Sequence, residues 1–347
     1  MSPGKPTTSA IEIPRFGAPE ALVERRVPLR EVGPGDLHIE VHASGVNFAD
    51  LLARAGLYAA SPEPPFSPGF EVAGVVVRVG SAVTDWTVGD RAVALLRFGG
   101  YARDVVVPAG QVFPYPDGLT VVQAAAVPVV FLTAWVCLFE AARSREGETA
   151  LVLGAAGGVG TAAVQLALRH GLAVVGTAGS EAKREFVTGE LGAEACFDSR
   201  GDWEPEVRLA RPDGVHVALD PVGGRATAAC RRLLAPLGRL VVYGLSEALP
   251  GARRSWPRAA MAWLRTPRVH PLALVDRNQG MFGVQVLHLW DQEALLRPAV
   301  AEIYRAVGAG ELRPVIDRTF PLTRDGAVAA HRHLHGRGNI GKVVLAS

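Results

Sequence analysis

Apolar residues along the chain follow two rhythms, and the change between them falls near residue 125. Before it, short Val-rich runs are broken by Gly and Pro: LHIEVHASG at 37 to 45, FEVAGVVVRVG at 70 to 80 and YARDVVVPAG at 101 to 110. β-branched runs divided by turn residues predict a β-rich domain with functional loops between its strands. The stretch from Gly56 to Pro68 carries Pro62, Pro64, Pro65 and Pro68, which argues against a long regular helix there.

After residue 125 the pattern alternates between helix and strand. AAAVPVVFLTAWVCLFEAAR is helical in composition beyond Pro128 and gives way to the turn-rich SREGET and the apolar strand ALVLG. A glycine turn then opens the helix VGTAAVQLALRHG, which ends at Gly171, and AVVGT supplies the next strand. ACF at 195 to 197, GVHVALD at 214 to 220 and GRLVVYG at 238 to 244 add strands, with the helix-like ATAACRRLLAP before the last. Near-continuous apolar strands joined by helices predict a doubly wound parallel sheet of α/β class. FGVQVLHL at 282 to 289 is expected to extend that sheet, and IGKVVLA at 340 to 346 to form a terminal strand.

Composition narrows the possible partners. The 347 residues favour two domains, and the 49% apolar content supports substantial cores. Lys and Arg total 36 against 34 Asp and Glu, a net charge of +2, which gives no reason to expect a nucleic-acid partner. Cys137, Cys196 and Cys230 form neither a disulfide framework nor a metal cluster, so a reducing cytoplasm is the expected compartment. The absence of a signal-like apolar stretch near the start, or of 18 uninterrupted apolar residues elsewhere, leads us to expect no integral membrane association. GARRSWPRAAMAWLRTPRVH gathers Arg253, Arg254, Arg258, Arg265 and Arg268 with Trp256 and Trp263. It reads as a solvated basic face, with a phosphate-facing wall or an amphipathic lid as the alternatives.

The chemistry-bearing signal is Gly154-Ala155-Ala156-Gly157-Gly158-Val159-Gly160, set between an apolar strand and a helix. Missing Cβ atoms let backbone approach a pyrophosphate, and the first amides of the helix supply donors. Gly154, Gly157 and Gly160 are the phosphate-side candidates, and Gly158 chiefly relieves packing. The spacing is G-x-x-G-G-x-G rather than G-x-G-x-x-G, so FAD stays open beside a nicotinamide. The following strand, AVVGTAGS, has no acid for a ribose 2′-hydroxyl. Ser180, with Lys183 or Arg184, offers groups for a 2′-phosphate, which favours NADPH and leaves NADH possible. The alternatives are that Ser180 caps the next helix and that the cations are solvated.

GVNFADLLARAGLY at 45 to 58 is the candidate catalytic stretch. Asn47 is a neutral donor and acceptor that either orients a substrate or caps local backbone, and Tyr58 either relays a proton or packs. Asp50 and Arg54 either make a local ion pair or touch substrate. Thr133 and Trp135 line a junction between domains or belong to a helix core. Cys137 is embedded in apolar sequence and is expected to be inert. His331, His333 and His335 read as a polar surface segment. No H-E-x-x-H, paired CxxC or G-x-S-x-G element occurs.

GVNFADLLARAGLY, PFSPGFEVAGVVVRVG, GDRAVAL, GGYARDVVVP, LGAAGGVGTAAVQLA, DPVGG, GRLVVYG and NIGKVVL occur in this order over almost the whole chain. Together they resemble the zinc-independent quinone oxidoreductases of the medium-chain dehydrogenase/reductase superfamily, in particular the vesicle amine transport protein 1 family. The resemblance implies a GroES-like catalytic domain over 1–124 and 315–347, an inserted Rossmann cofactor domain over 125–314, a cleft between them, and a homodimer with FGVQVLHL as the dimer edge. It places Gly154, Gly157, Gly158, Val159 and Gly160 at the pyrophosphate and Ser180 and Lys183 at the adenosine phosphate. Asn47 and Tyr58 fall near nicotinamide and substrate, Asn339 and Lys342 on a cofactor-side motif, and Thr133 is a further contact. Asn47 and Phe70 stand where zinc relatives carry ligands, so no metal is expected. The implied reaction is reduction of an activated C=C bond in a small quinone or enone. An enoyl thioester, also implied by Tyr58, and a non-enzymatic nucleotide-binding regulator are the alternatives.

Overall fold

The computed structural model describes residues 6–249, 251 and 256–347, with the side chains at 256, 258 and 259 outside that description. These residues form two compact units, one of 6–129 with 287–347 and the other of 130–249 with 256–286.

The first unit is built on a seven-stranded sheet. Its axis is the long strand Asp36–Val46, which pairs antiparallel with Glu71–Val79 on one side. On the other side it takes Asp104–Pro108 along its first half and Lys342–Ala346 along its second. The C-terminal strand aligns Val343 with Val46, so Lys342 arrives beside Asn47. Alternation along Asp36–Val46 buries Leu37, Ile39, Val41 and Ala43 completely or nearly so, as expected of a strand with one face on a core. A separate hairpin pairs Thr7–Glu12 with Val23–Pro28.

The second unit is a six-stranded parallel sheet. In space its strands run Ala195–Asp198, Ala173–Ala178, Thr149–Val152, Val215–Asp220, Leu234–Val242 and Gly280–Gly283. Numbered along the chain that order is 3-2-1-4-5-6, the doubly wound dinucleotide-binding arrangement. Leu151, Val175, Ala218 and Leu240 from four neighbouring strands pack with Val207, Cys230 and Leu233 from the covering helices. The order reverses between Thr149–Val152 and Val215–Asp220, and ligands of open α/β sheets bind at that reversal.

Several expectations need correction. FGVQVLHL contributes only Phe282 and Gly283 to the sheet, while Val286–Leu289 is a 3-10 turn. The chain rejoins the first unit from Leu287 rather than at 315. There the Trp290 indole donates to Leu96 O at 2.9 Å and the Tyr304 hydroxyl to Ala124 O at 3.0 Å. The helix after Pro128 is regular only through Trp135 and continues as a wide π turn over Val136–Ala141. Arg253 and Arg254, and the Arg258 side chain, lie outside the described residues. Of the remaining basic cluster, Arg265 faces Glu247 at 3.5 Å and Arg268 lies over the Trp263 ring. No helix among the described residues is long and apolar enough to cross a membrane.

Candidate functional site

The glycine turn of the second unit is shaped by steric exclusion. Gly154 adopts a left-handed φ of 64° and folds back so that Gly157 N donates to Gly154 O at 2.9 Å. A Cβ on Gly160 would stand 2.2 Å from that same oxygen, so no larger residue fits without moving backbone. Thr177, buried in the neighbouring strand, fixes the turn from below. Its hydroxyl accepts from Gly154 N at 3.3 Å, and its carbonyl accepts from Ala155 N at 2.9 Å. Helix Gly158–Arg169 then begins with Gly158, Val159 and Gly160, whose amides precede the first intrahelical bonds. Donors, a helix N-terminus and a surface without side chains therefore coincide, and a pyrophosphate fits this cradle.

DPVGG completes the rim on the other side of the strand reversal. The Asp220 carboxylate is fully buried and accepts from Val222 N at 2.8 Å, Gly223 N at 3.0 Å and the Thr227 hydroxyl at 2.6 Å. Burial pushes its pKa up against these bonds. Asp220 thus fixes the loop at the carboxyl end of the fourth strand, with Gly223 and Gly224 both at positive φ.

At the end of the second strand, Ser180 sits at the N-cap of helix Glu181–Glu185 but makes no side-chain cap bond. Arg184 is drawn to Asp198, 3.4 Å away. Lys183 is half-buried on the same helix. The guanidinium missing from the sequence reading is Arg200: a Cβ on Gly179 would lie 3.3 Å from its Nε. Ser180, Lys183 and Arg200 therefore border the carboxyl end of Ala173–Ala178. Thr133 is half-buried on helix Pro128–Trp135.

In the first unit the GVNFADLLARAGLY segment becomes the end of a strand and helix Phe48–Ala55, capped by Asn47. Asp50 does not pair with Arg54. Its carboxylate accepts from Asn47 N and Gly69 N, each at 2.8 Å, and burial pushes its pKa up to about 7. Arg54 turns the other way and is completely buried. It donates to His331 Nδ1 at 3.1 Å and Gly17 O at 2.6 Å, and its other terminal nitrogen meets His335 Nε2 at 2.6 Å. Burial first, then the Arg54 charge, pushes His331 well below the usual histidine range and His335 down to about 4. The expected polar surface is therefore a buried cluster on helix Arg324–His335, and only His333 of the three is partly open, near Asp317.

The Asn47 side chain is held at both ends. Its amide nitrogen donates to Glu71 Oε1 at 3.0 Å, and its oxygen accepts from Lys342 Nζ at 2.5 Å. A carboxylate only accepts and an ammonium only donates, so the amide orientation is determined. Lys342 also pairs with Glu71, whose second oxygen accepts from Val129 N at 2.7 Å. Asn339 is used locally, donating to Gly341 O at 2.8 Å. Tyr58 is half-buried, edge-on to Phe70 with ring centres 5.9 Å apart, and Phe70 packs on Phe98 at 5.1 Å. An aromatic cluster and an engaged amide are poor surroundings for a metal ion. Among the described residues no group of three His, Cys, Asp or Glu side chains could hold one. Burial raises the thiol pKa of Cys137, Cys196 and Cys230, which keeps all three as packing groups.

Family models match both parts of the chain: an alcohol dehydrogenase GroES-like domain over residues 33–117 and a zinc-binding dehydrogenase over 191–345. With the GroES-like sheet and the 3-2-1-4-5-6 sheet, they define the chain as a member of the medium-chain dehydrogenase/reductase superfamily. Within it, the chain belongs to the quinone oxidoreductase family and is similar to its VAT-1 homologues. It is 32% identical to the quinone oxidoreductase of Mus musculus, covering 99% of each chain. It is 37% identical to the synaptic vesicle membrane protein VAT-1 homolog of Danio rerio over 90% of its own length, and spans 64% of that relative. Among solved structures, the quinone oxidoreductase from Thermus thermophilus, also determined in complex with NADPH, matches with a TM-score of 0.80 at 36% identity. That match covers 98% of this chain and 100% of the other.

Proposed function

We propose that the chain is an NADPH-preferring, zinc-independent reductase of an activated C=C bond in a small quinone or enone. The observation that carries this reading is the Gly154–Gly160 cradle, in which a Cβ at Gly160 would strike the backbone of the turn. Bound there, the nicotinamide cofactor supplies hydride to the electrophilic β-carbon of the acceptor. Gly158, Val159 and Gly160 present amides to its pyrophosphate, while Gly157, whose own amide donates to Gly154 O, gives the cofactor a bare backbone to approach. Ser180, Lys183 and Arg200 meet the 2′-phosphate, and no acid stands in the second strand to favour NADH. Thr133, Asn339 and Lys342 keep cofactor-side roles by their motif positions.

Tyr58 donates or relays the proton for the α-carbon, and Asn47 orients the acceptor carbonyl, with Lys342 and Glu71 holding its amide. Conjugation polarises the acceptor, so no metal is assigned a step. The protein works in a reducing cytoplasm as a homodimer through the edge strand Gly280–Gly283, where Phe282 is 43% exposed. A second reading, enoyl-thioester reduction, is favoured by Tyr58 and by likeness to the CurK enoyl reductase, at 28% identity and a TM-score of 0.84 over 98% of this chain.

A matched NADPH and NADH oxidation screen against quinones, enones and enoyl-CoAs, with product masses, tests the assignment. Turnover with quinones or enones at lower KM for NADPH is expected. Enoyl-CoA turnover alone selects the second reading. Failure to bind either nicotinamide, with a stable partner captured elsewhere on the surface, selects a non-enzymatic regulator.

A further inference from the structure

Asp50 lies beside the proposed acceptor site, and the proposed reaction gives it no role. It is completely buried in the first turn of helix Phe48–Ala55. Its two oxygens serve two separate stretches of chain: Oδ2 accepts from Asn47 N and Oδ1 from Gly69 N, each at 2.8 Å. Asn47 follows strand Asp36–Val46, and Gly69 precedes Phe70, the ring that Tyr58 meets edge-on. Gly69 itself has no room to drift toward its neighbours, since its φ is 101° and a Cβ there would stand 2.7 Å from Gly100 Cα. One carboxylate therefore fixes Asn47 relative to the Phe70–Tyr58 wall.

A helix cap alone does not require this group, because a hydroxyl or an amide satisfies one helix-end N–H without burying a charge. Arg54, one turn further on, points to Gly17 O and the two histidines. The Lys342 ammonium faces Asp50 from the C-terminal strand but is bound to Asn47 Oδ1 and Glu71 Oε1. Glu71 faces it with like charge, and Tyr101 with a buried hydroxyl, behind which stands the neutral ring of His331. Burial pushes the Asp50 pKa up to about 7, opposed by the two amides and Lys342 and helped by Glu71. Ionised Asp50 thus costs the fold stability near neutral pH, and groups kept at such a cost cluster at functional sites. Ionisation also decides what the group can hold. The carboxylate presents an acceptor on each oxygen, whereas the protonated form carries a donor on one of them, so one amide meets a competing proton.

We propose that Asp50 is a positioning residue for acceptor reduction: its ionised carboxylate sets Asn47 against the Phe70–Tyr58 wall, and its protonation releases that setting. The assignment rests on Asn47 orienting the acceptor carbonyl. Turnover then falls as pH drops through the Asp50 ionisation, while the glycine turn, which belongs to the other unit, keeps its hold on NADPH.

Steady-state reduction of 2-cyclohexen-1-one and 1,4-benzoquinone by the full chain at saturating NADPH, from about pH 5.5 to about pH 8.5, tests the assignment. Wild-type kcat should fall on the acid side with a midpoint near the Asp50 pKa of about 7, approaching about tenfold per pH unit below it. Asp50→Asn turns an N–H₂ toward one of the two amides at every pH, so it should slow turnover at least about tenfold near pH 8 and erase the acid limb. Its dissociation constant for NADPH should stay within about twofold of wild type. Asn47→Ala should also lack the limb, and adding Asp50→Asn to it should slow turnover by less than about twofold, because the side chain to be placed is gone. A wild-type kcat independent of pH, a limb retained in Asn47→Ala, or the same loss from Asp50→Asn with and without Asn47 overturns the proposal. Where Asp50→Asn does not fold, the limb in wild type and in Asn47→Ala decides alone. A wild type that reduces neither acceptor at any pH overturns the reductase reading and this assignment with it, whereas turnover with a flat profile overturns only the role of Asp50.

Discussion

Lys342 and Glu71 form an ion pair with Nζ 2.5 Å from Oε1, although 271 residues separate them in sequence and both side chains are almost wholly buried. Strand register brings them together: the C-terminal strand runs antiparallel to Asp36–Val46, which is itself paired with Glu71–Val79. Asn47 is held between the two charges, so the pair sets the direction of one amide in the proposed substrate site.

Removing one partner strands the other charge away from water. Lys342→Met should lower unfolding free energy in urea by about 3–5 kcal/mol, and adding Glu71→Gln should restore more than half of it. Equal and additive losses would mean that the two charges do not depend on one another.

The glycine turn should tolerate no Cβ at its closest approach. Gly160→Ala is expected to weaken NADPH binding at least about a hundredfold, because the turn must open and its donors diverge. Fluorescence titration of bound NADPH reads the affinity, and circular dichroism checks that the sheet survives. Unaltered affinity would move the phosphate site away from this turn.

The 2′-phosphate assignment separates the two nicotinamides. Arg200→Ala and Lys183→Ala should each raise the dissociation constant of NADPH about tenfold or more while changing that of NADH less than about twofold. Equal losses for both would place these side chains elsewhere on the cofactor or in the fold.

The Arg54 cluster carries a signed pH dependence. His331 and His335 are neutral beside the buried guanidinium, with pKa values below those of an unfolded chain, His335 at about 4. The folded state therefore binds fewer protons there, and the stability they contribute is present above about pH 6.5 and lost as pH falls toward 4. Asp50 runs the opposite way: its raised pKa favours folding below about 4 and costs stability as pH climbs to about 7. His335→Gln should flatten the acid side of a melting-temperature profile between pH 6.5 and 4. Asp50→Asn should flatten the decline between pH 4 and 7. A profile unchanged by either variant would contradict the assignment.

What was legible in the sequence was local. The glycine turn, its strand and helix, and the acid-free second strand lie within about 30 residues of one another, and each is set by its own composition. The buried partners were hidden because they depend on register and long-range packing. Nothing near Asn47 announces Lys342, and an alternating His331-x-His333-x-His335 looks polar until one helix face meets Arg54. Arg200 was missed because it lies 21 residues beyond Gly179 and comes beside it only through the pairing of two neighbouring strands. FGVQVLHL looked like a full strand because apolar alternation does not reveal where a chain leaves one sheet to pack Leu287 and Trp290 elsewhere.

We propose that hydride passes from a nicotinamide held on the Gly154–Gly160 turn to the β-carbon of an activated acceptor. Turnover of an enone with NADPH carrying deuterium at both C4 positions decides this, with the product read by mass and NMR. A single deuterium at the β-carbon, lost together with NADPH binding in Gly160→Ala, is the expected result. Product without label at that carbon, or labelled turnover that survives Gly160→Ala unchanged, would contradict it.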